Sequence, residues 1–170
     1  MSAVHAREAA LAAVLVLGAA TPAAAETGKS IDVTAQIVAG CLVAADTGGR
    51  WGTIDLGTVA GVAGTGATAT LISTAGAGIA VECTPGMSAT LAADNGDHPA
   101  AGDRFLQRAG SAGTIRYQLF ADGASIPWSV PLPLAFVGGR RAIPIRAVAT
   151  LSGPTAAGTY TDTVRVTLTW

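Results

Sequence analysis

Charged residues are scarce in this sequence. Only 12% of its 170 residues are charged, and 10 lysines and arginines against 11 acids leave a formal net charge of −1. Such a balance offers no basic surface of the kind that binds nucleic acid. Aromatic residues are also few, at 5%, and no stretch carries a helical period of apolar residues long enough to form a helix. A nucleic-acid-binding or helical protein is therefore not expected.

Histidine is nearly absent, which bears on catalysis and metal binding. His98 is the only histidine beyond the first few residues, and it lies next to a proline in a turn-rich stretch. The acids are scattered and mostly occupy predicted turns, where aspartate bonds its own backbone. Asp94, Asn95 and Asp97 resemble a calcium loop only weakly, since they lack its spacing and closing glutamate. The sequence predicts no catalytic residue, no metal site and no cofactor, and His98 is expected to be a solvated loop residue.

Residues 1–25 have the pattern of a secretory signal peptide. A short polar start is followed by an apolar run over residues 9–20 and a small-residue site ending at Ala25. The alternative is a membrane anchor, but the run is shorter than the about 20 apolar residues that a spanning helix needs. We expect export with cleavage after Ala25 and no stable membrane insertion.

Only two cysteines are present, Cys41 and Cys83. In an exported protein an even pair predicts a disulfide, which would contribute roughly 4 kcal/mol on the chain-entropy model. A metal or redox pair is the alternative. It is disfavoured because a metal site needs more ligands and the two cysteines are too far apart for a Cys-x-x-Cys motif.

Alternating residues at the two ends of the mature chain indicate β-strands. At the N-terminal end the apolar positions are Ile31, Val33, Ala35 and Ile37, and at the C-terminal end they are Val164, Val166, Leu168 and Trp170. This period of two is typical of a strand with one apolar face. The last strand is followed by no returning strand, so we expect an edge that something else must cover.

Further strands are predicted between these ends, separated by glycine-, proline- and aspartate-rich turns. The predicted strands are 51–59, 67–72, 78–83, 88–93, 114–121 and 142–151, the last broken by Pro144. Thr84-Pro85-Gly86 is predicted to be a turn. In 114–121, Ile115, Tyr117 and Leu119 share one face. Short strands at this spacing predict an all-β fold, most simply a β-sandwich.

Several motifs together resemble the spore coat protein U family, whose members include subunits of archaic chaperone–usher pili. They are Gly40-Cys41, Asp55-Leu56-Gly57, VECTPG at 81–86, Arg104-Phe105, IRYQLFAD at 115–122, Trp128 and the ending GTYTDTVRVTLTW at 158–170. Each motif alone is weak. Their order through most of the mature chain makes the resemblance specific.

The resemblance implies an incomplete immunoglobulin-like sandwich that lacks its closing strand. A donor segment, residues 26–38, would supply that strand to another subunit, with Ile31, Val33, Ala35 and Ile37 filling successive pockets. The acceptor groove, in the domain of residues 39–170, would include Val164, Val166 and Leu168. Expected partners are identical or related pilus subunits, a periplasmic chaperone and an outer-membrane usher. The expected location is the cell surface, with a role in adhesion or biofilm formation.

Two alternatives remain open at this point. Residues 31–37 can instead form the first strand of their own domain, since a period of two does not distinguish the two roles. The protein can also be a monomeric secreted carbohydrate-binding sandwich, with Trp51, Trp128 and Trp170 as a sugar platform. Tryptophans of this kind are more often core or interface anchors.

Overall fold

The computed structural model describes residues 29–170. They form fourteen short β-strands and no helix, so the predicted all-β class is confirmed. The strands are β1 (Cys41–Val43), β2 (Gly66–Thr70), β3 (Ile72–Ser73), β4 (Gly76–Ala77), β5 (Ile79–Cys83), β6 (Met87–Ala93), β7 (Pro99–Ala100), β8 (Asp103–Arg108), β9 (Thr114–Ala121), β10 (Leu132–Phe136), β11 (Arg140–Ile143), β12 (Ile145–Thr150), β13 (Tyr160–Thr161) and β14 (Val166–Thr169).

The first layer is built on two strand pairs that continue each other across a bend. β10 pairs with β6, and β11 pairs with β5. Phe136 lies opposite Met87 and Arg140 opposite Glu82, so 3 residues on one side of the bend (137–139) face 4 on the other (83–86). Such a one-residue bulge bends a ladder without ending it. The predicted turn at Thr84-Pro85-Gly86 is confirmed, since the Met87 N–H donates to the carbonyl of Thr84 at 3.2 Å, and this turn forms the bend between β5 and β6.

The second layer is a six-stranded sheet, with the order β13–β8–β9–β12–β2 and β7 beside β8. Pro144 separates β11 in the first layer from β12 in the second, so the break predicted there is real. On β9, Tyr117 and Leu119 are buried while Arg116 is exposed, which confirms the predicted faces.

The hydrophobic core fills the space between the two layers. Its largest fully buried side chains are Phe136, Ile79, Leu91, Leu134, Ile143 and Val81. The two layers form a β-sandwich of the immunoglobulin-like kind predicted from the sequence.

The first layer has one incompletely covered edge. β10 and β11 occupy one edge of the bent strand β5–β6, and β1 and β14 pair along the other. β1 covers only Val81–Cys83, and β14 covers only Thr90–Ala93. In the described part of the chain, each of these two strands has a single neighbour.

β8 and β10 were not predicted from the sequence, and two predicted strands, at 31–37 and 51–59, do not form within residues 29–170. β8 was missed because Asp103, Arg104 and Arg108 mask its alternation, and β10 because prolines interrupt it. Residues 51–59 make only one bridge, Thr53 to Ile72, instead of a strand. Ile54 and Leu56 in this segment are nevertheless half-buried against the core.

The predicted signal peptide, residues 1–25, lies outside the described residues. Residues 29–36 form no helix or strand and are exposed; the sandwich unit is Ile37–Trp170. Ile37 is also exposed, and the first strand begins at Cys41. Residues 29–170 contain no helix that is long and apolar enough to span a membrane.

Candidate functional site

A disulfide joins Cys41 to Cys83, as the sequence predicts. The two residues lie directly opposite each other in β1 and β5, with Cα atoms 4.0 Å apart. β1 has only three residues, so the bridge fixes the position of this edge strand beside the covered part of β5.

The free edge of β14 combines apolar side chains with unpaired main-chain groups. Val164, Val166 and Leu168 are half-buried and pack against the core, while Arg165 and Thr167 are exposed. The predicted faces are therefore confirmed for residues 164–168, whereas Trp170, predicted on the inward face, is exposed. The interior of the sandwich is only partly shielded along this row of apolar side chains.

Antiparallel pairing determines which main-chain groups point to the open side. The Asp94 N–H donates to the carbonyl of Arg165 at 3.0 Å, so these two residues form a hydrogen-bonded pair. Hydrogen-bonded pairs alternate along such a ladder. It follows that Thr167 and Thr169 direct their N–H and C=O groups towards β6. Val166 and Leu168 direct theirs away from it, to the open edge.

A buried carboxylate lies at the start of this strand. The side chain of Asp162 is 1% exposed and accepts hydrogen bonds from the Asp97 N–H at 2.9 Å and the Tyr117 hydroxyl at 2.6 Å. The ring Nδ1 of His98 lies 3.0 Å from the same carboxylate. We call Asp97, His98, Tyr117 and Asp162 the polar latch. A Cβ atom at Gly96 would lie only 2.0 Å from Asp162 Oδ2, so the loop can close on the carboxylate because it has glycine there.

A second set of contacts ties the same loop to Arg165. Asp94 Oδ1 accepts from the Arg165 N–H at 2.9 Å, and Arg165 Nη1 lies 2.8 Å from Asp97 Oδ1. Burial alone would raise the pKa of Asp94, but hydrogen bonds from the Gly96 and Arg165 N–H groups outweigh it and hold that pKa below its ordinary value. The loop that weakly resembled a calcium site is thus a clamp on the last strand.

Arg104 is buried beneath this loop. Its guanidinium donates to the carbonyls of Asp94 at 2.8 Å, Trp128 at 2.9 Å and Ala93 at 3.4 Å. Three carbonyl acceptors compensate for the lost hydration of the charge. Arg104 therefore joins β8, the end of β6 and the segment before β10 at one point.

The structure brings together motif residues that are far apart in the sequence. Arg104, Tyr117, Trp128 and Asp162 each belong to a different motif quoted above, and all contact one another or the loop at 94–98. Sequence reasoning treated Asp162 only as one of several scattered acids. The signal was present, however, because Asp162 has the same parity as the inward-facing Val164 and Val166.

Other predicted residues have simpler positions. His98 is bonded to Asp162 and its side chain is 35% exposed, so it is not the free solvated residue that was expected. Trp128 is buried in the core, which removes it from any exposed sugar platform, while Trp51 is half-buried and Trp170 exposed. Within residues 29–170, no three histidine, cysteine or acidic side chains are grouped as a metal site requires.

Replacing Tyr117 with phenylalanine is expected to flatten the loss of stability at alkaline pH. Burial first, and then the bond to Asp162, raise the pKa of Tyr117 above its ordinary value of 10.0. The folded protein keeps this proton where the unfolded chain releases it. The stabilisation is thus complete below pH 10 and declines above it, by about 1.4 kcal/mol per pH unit.

Chemical denaturation from neutral pH to about pH 11 measures this effect. At neutral pH the variant should lose about 1.5–3 kcal/mol, the usual value of a hydrogen bond to a charged group. Tyr160→Phe is the matched control, because Tyr160 is the other tyrosine and its hydroxyl bonds only the carbonyl of Ala156. An alkaline slope equal to that of the unmodified protein would contradict the assignment.

Comparisons with known proteins agree with this architecture. The family model described as the Spore Coat Protein U domain matches residues 27–167. A chain from the CsuC–CsuE chaperone–tip adhesion subunit pre-assembly complex of archaic chaperone-usher Csu pili of Acinetobacter baumannii superposes with a TM-score of 0.51 and 16% identity. That match covers 79% of this chain and 40% of the other.

A second solved structure, a chaperone–tip adhesin complex of CFA/I fimbriae biogenesis, gives a TM-score of 0.52 and 12% identity over 76% of this chain and 42% of that one. At such identities the likeness shows the fold alone. This chain spans less than half the length of either matched chain. No curated protein matches it.

Proposed function

Because this chain belongs to the Spore Coat Protein U domain family, we propose that it is a structural subunit of a secreted surface fibre or coat-like layer. The fibre would be of the archaic chaperone–usher pilus type, with a role in adhesion or biofilm formation. Subunits would join by donor-strand complementation, in which an extended segment of one subunit adds a strand to the open edge of another.

The open edge of β14 is the observation that carries this proposal. It offers main-chain donors and acceptors at Val166 and Leu168, together with apolar side chains that are only half-buried. An added strand would form hydrogen bonds with these main-chain groups and complete the burial of these apolar side chains. The half-buried apolar row of this edge also supports the proposed partners, since a periplasmic chaperone would cover it before an outer-membrane usher directs assembly.

The segment proposed as donor has matching chemistry. Ile31 is 88% exposed, Val33 is 92% exposed and Ile37 is 89% exposed, and the segment from residue 29 to residue 40 belongs to no strand. Ala35 completes the alternating row. Each isoleucine or valine that becomes fully buried contributes roughly 1.5–3 kcal/mol. Several such residues, added to a main-chain ladder, favour a long-lived joint between subunits.

Deleting residues 26–37 tests the proposal. The truncated subunit, purified from the periplasm with its chaperone, should still be captured but should not extend into polymers, because it has no strand to donate. A synthetic peptide of residues 29–38 should displace the chaperone and restore a cooperative thermal transition to the truncated domain.

Two peptide variants provide the matched control. Val33→Asp puts a charge on the apolar face and should abolish complementation, whereas Thr34→Asp changes the opposite face and should preserve it. If the truncated domain instead folds as a stable monomer with no partner, the sandwich is complete in itself. The carbohydrate-binding alternative would then replace the pilus-subunit proposal.

A further inference from the structure

The hydrophobic pattern of the last strand leaves its register partly undetermined. A slip of one residue relative to β6 would turn Thr167 inward and Leu168 outward, which burial forbids. A slip of two residues preserves both faces, because positions 164, 166, 168 and 170 are all apolar. Val166 or Trp170 could then occupy the place of Leu168 opposite Leu91. Some contact other than apolar burial must choose between these registers.

Of the residues near the start of β14, only Asp162 can satisfy the other three residues of the polar latch. Its Asp97 N–H, Tyr117 hydroxyl and His98 ring all point at the Asp162 carboxylate. After a slip of two residues, Tyr160 or Val164 would occupy that position. Valine has no acceptor for these groups, and the ring of tyrosine does not fit beside Gly96, where even a Cβ atom meets the carboxylate. The hydroxyl of Tyr117, which is a buried residue, would then be left without an acceptor, and this is disfavoured.

The position of Asp162 along the chain suits this role. It directly follows β13, which pairs with β8 in the second layer, and precedes β14, which pairs with β6 in the first. β13 has only two residues and provides a short ladder. The carboxylate therefore lies where the chain crosses between layers, close enough to the edge strand to fix its position.

We propose that Asp162, held by the other three residues of the polar latch, is the positioning residue that sets the register of β14 against β6. By fixing that register it also fixes where the main-chain groups of Val166 and Leu168 stand along the open edge. The incoming strand of a neighbouring subunit would take its own register from them; this consequence, unlike the register of β14 itself, rests on the proposed function.

Engineered cysteine pairs on the exposed face report the register directly. Thr90 lies opposite Thr169 in a hydrogen-bonded pair, where Cα atoms are about 5.5 Å apart and a disulfide can form. Thr90→Cys with Thr169→Cys therefore reports the native register. Thr90→Cys with Thr167→Cys reports the slip of two residues that places Val166 opposite Leu91, since without it these positions are diagonal neighbours about 7–8 Å apart, too far to bridge.

Each pair is combined with Asp162→Asn in the full chain, purified with its chaperone, and bridges are mapped by mass spectrometry of proteolytic fragments. We expect the slipped bridge to increase about tenfold relative to native Asp162, the ratio that corresponds to about 1.4 kcal/mol. Asp46→Asn is the matched control, because Asp46 accepts two backbone N–H bonds in a turn outside the latch. It should leave both bridge yields unchanged.

A purely stabilising role would give a different result. If Asp162→Asn lowers the melting temperature but only the native bridge forms, Asp162 does not set the register and the proposal is wrong. Should Asp162→Asn not accumulate, His98→Ala with Tyr117→Phe removes two of the three latch contacts and is read in the same way. Failure of both variants to accumulate also counts against the proposal, because a register change predicts a folded, chaperone-bound subunit.

Uptake of the donor peptide separates this proposal from the proposed function. If the truncated domain with native Asp162 does not bind the peptide of residues 29–38, complementation is wrong but the bridge yields still decide the register. If the native domain binds it and the Asp162→Asn domain binds it about tenfold more weakly, the register of β14 governs the open edge. If the two domains bind the peptide equally although the slipped disulfide forms in the Asp162→Asn variant, the register of β14 does not govern the open edge.

Discussion

Replacing Leu168 or Val166 with aspartate is expected to remove most of the folded protein from the periplasm. Both side chains point into the sandwich; Leu168 lies opposite the fully buried Leu91, and Val166 opposite Ala93. A carboxylate there loses apolar burial and enters a site without an ionic or hydrogen-bonding partner. The free energy of unfolding should fall by at least about 2 kcal/mol, and by more once an added strand covers the edge.

Thr167→Asp is the matched control for these two substitutions. Its side chain lies between theirs along the same strand but faces solvent, so the change should stay within about 0.5 kcal/mol. The amount of subunit that copurifies with its chaperone, and its resistance to protease, measure the effect in all three variants. Comparable losses for Thr167→Asp and Leu168→Asp would contradict the inward orientation of the alternate residues.

Loss of the disulfide is expected to have a second large effect. The bridge closes a loop with a sequence separation of 42 residues. On the chain-entropy model its removal costs about 4 kcal/mol. It also releases β1, a three-residue edge strand. Cys41→Ala with Cys83→Ala should therefore accumulate poorly, and denaturation curves of the native protein should shift to lower denaturant when reductant is added.

The double variant supplies its own control, because reductant should not alter its denaturation curve. Intact-mass measurement with and without reductant shows directly whether the bridge is present. Two free thiols in protein isolated from the periplasm would refute it. A bridge that forms but contributes less than about 1 kcal/mol would instead mean that the unfolded chain is little constrained by it.

Local alternation was sufficient to predict the strands whose two faces differ strongly. β9 has the bounds expected for it, and Tyr117 and Leu119 face inward. β8 could not be found in this way because its inward face carries Arg104, a charge that is acceptable only where three carbonyl groups from distant segments surround it. The turn at 84–86 was predicted from its proline and glycine, but only the partner strand shows that the ladder continues across it, since the Gly86 N–H donates to the carbonyl of Phe136.

The candidate site likewise has features that the sequence predicts and features that it does not. The apolar row of β14, the alternating donor segment and the cysteine pair are visible in the sequence, because each depends on neighbours two residues away or on composition. The polar latch is not, since Asp162 meets Asp97 and His98 across separations of 65 and 64 residues. By itself the sequence determined the all-β class, the faces of the strands and the disulfide. The tertiary structure alone decided which strands are neighbours, which edge stays open and where the buried carboxylate finds its donors, because these depend on pairing between distant segments that no local period encodes.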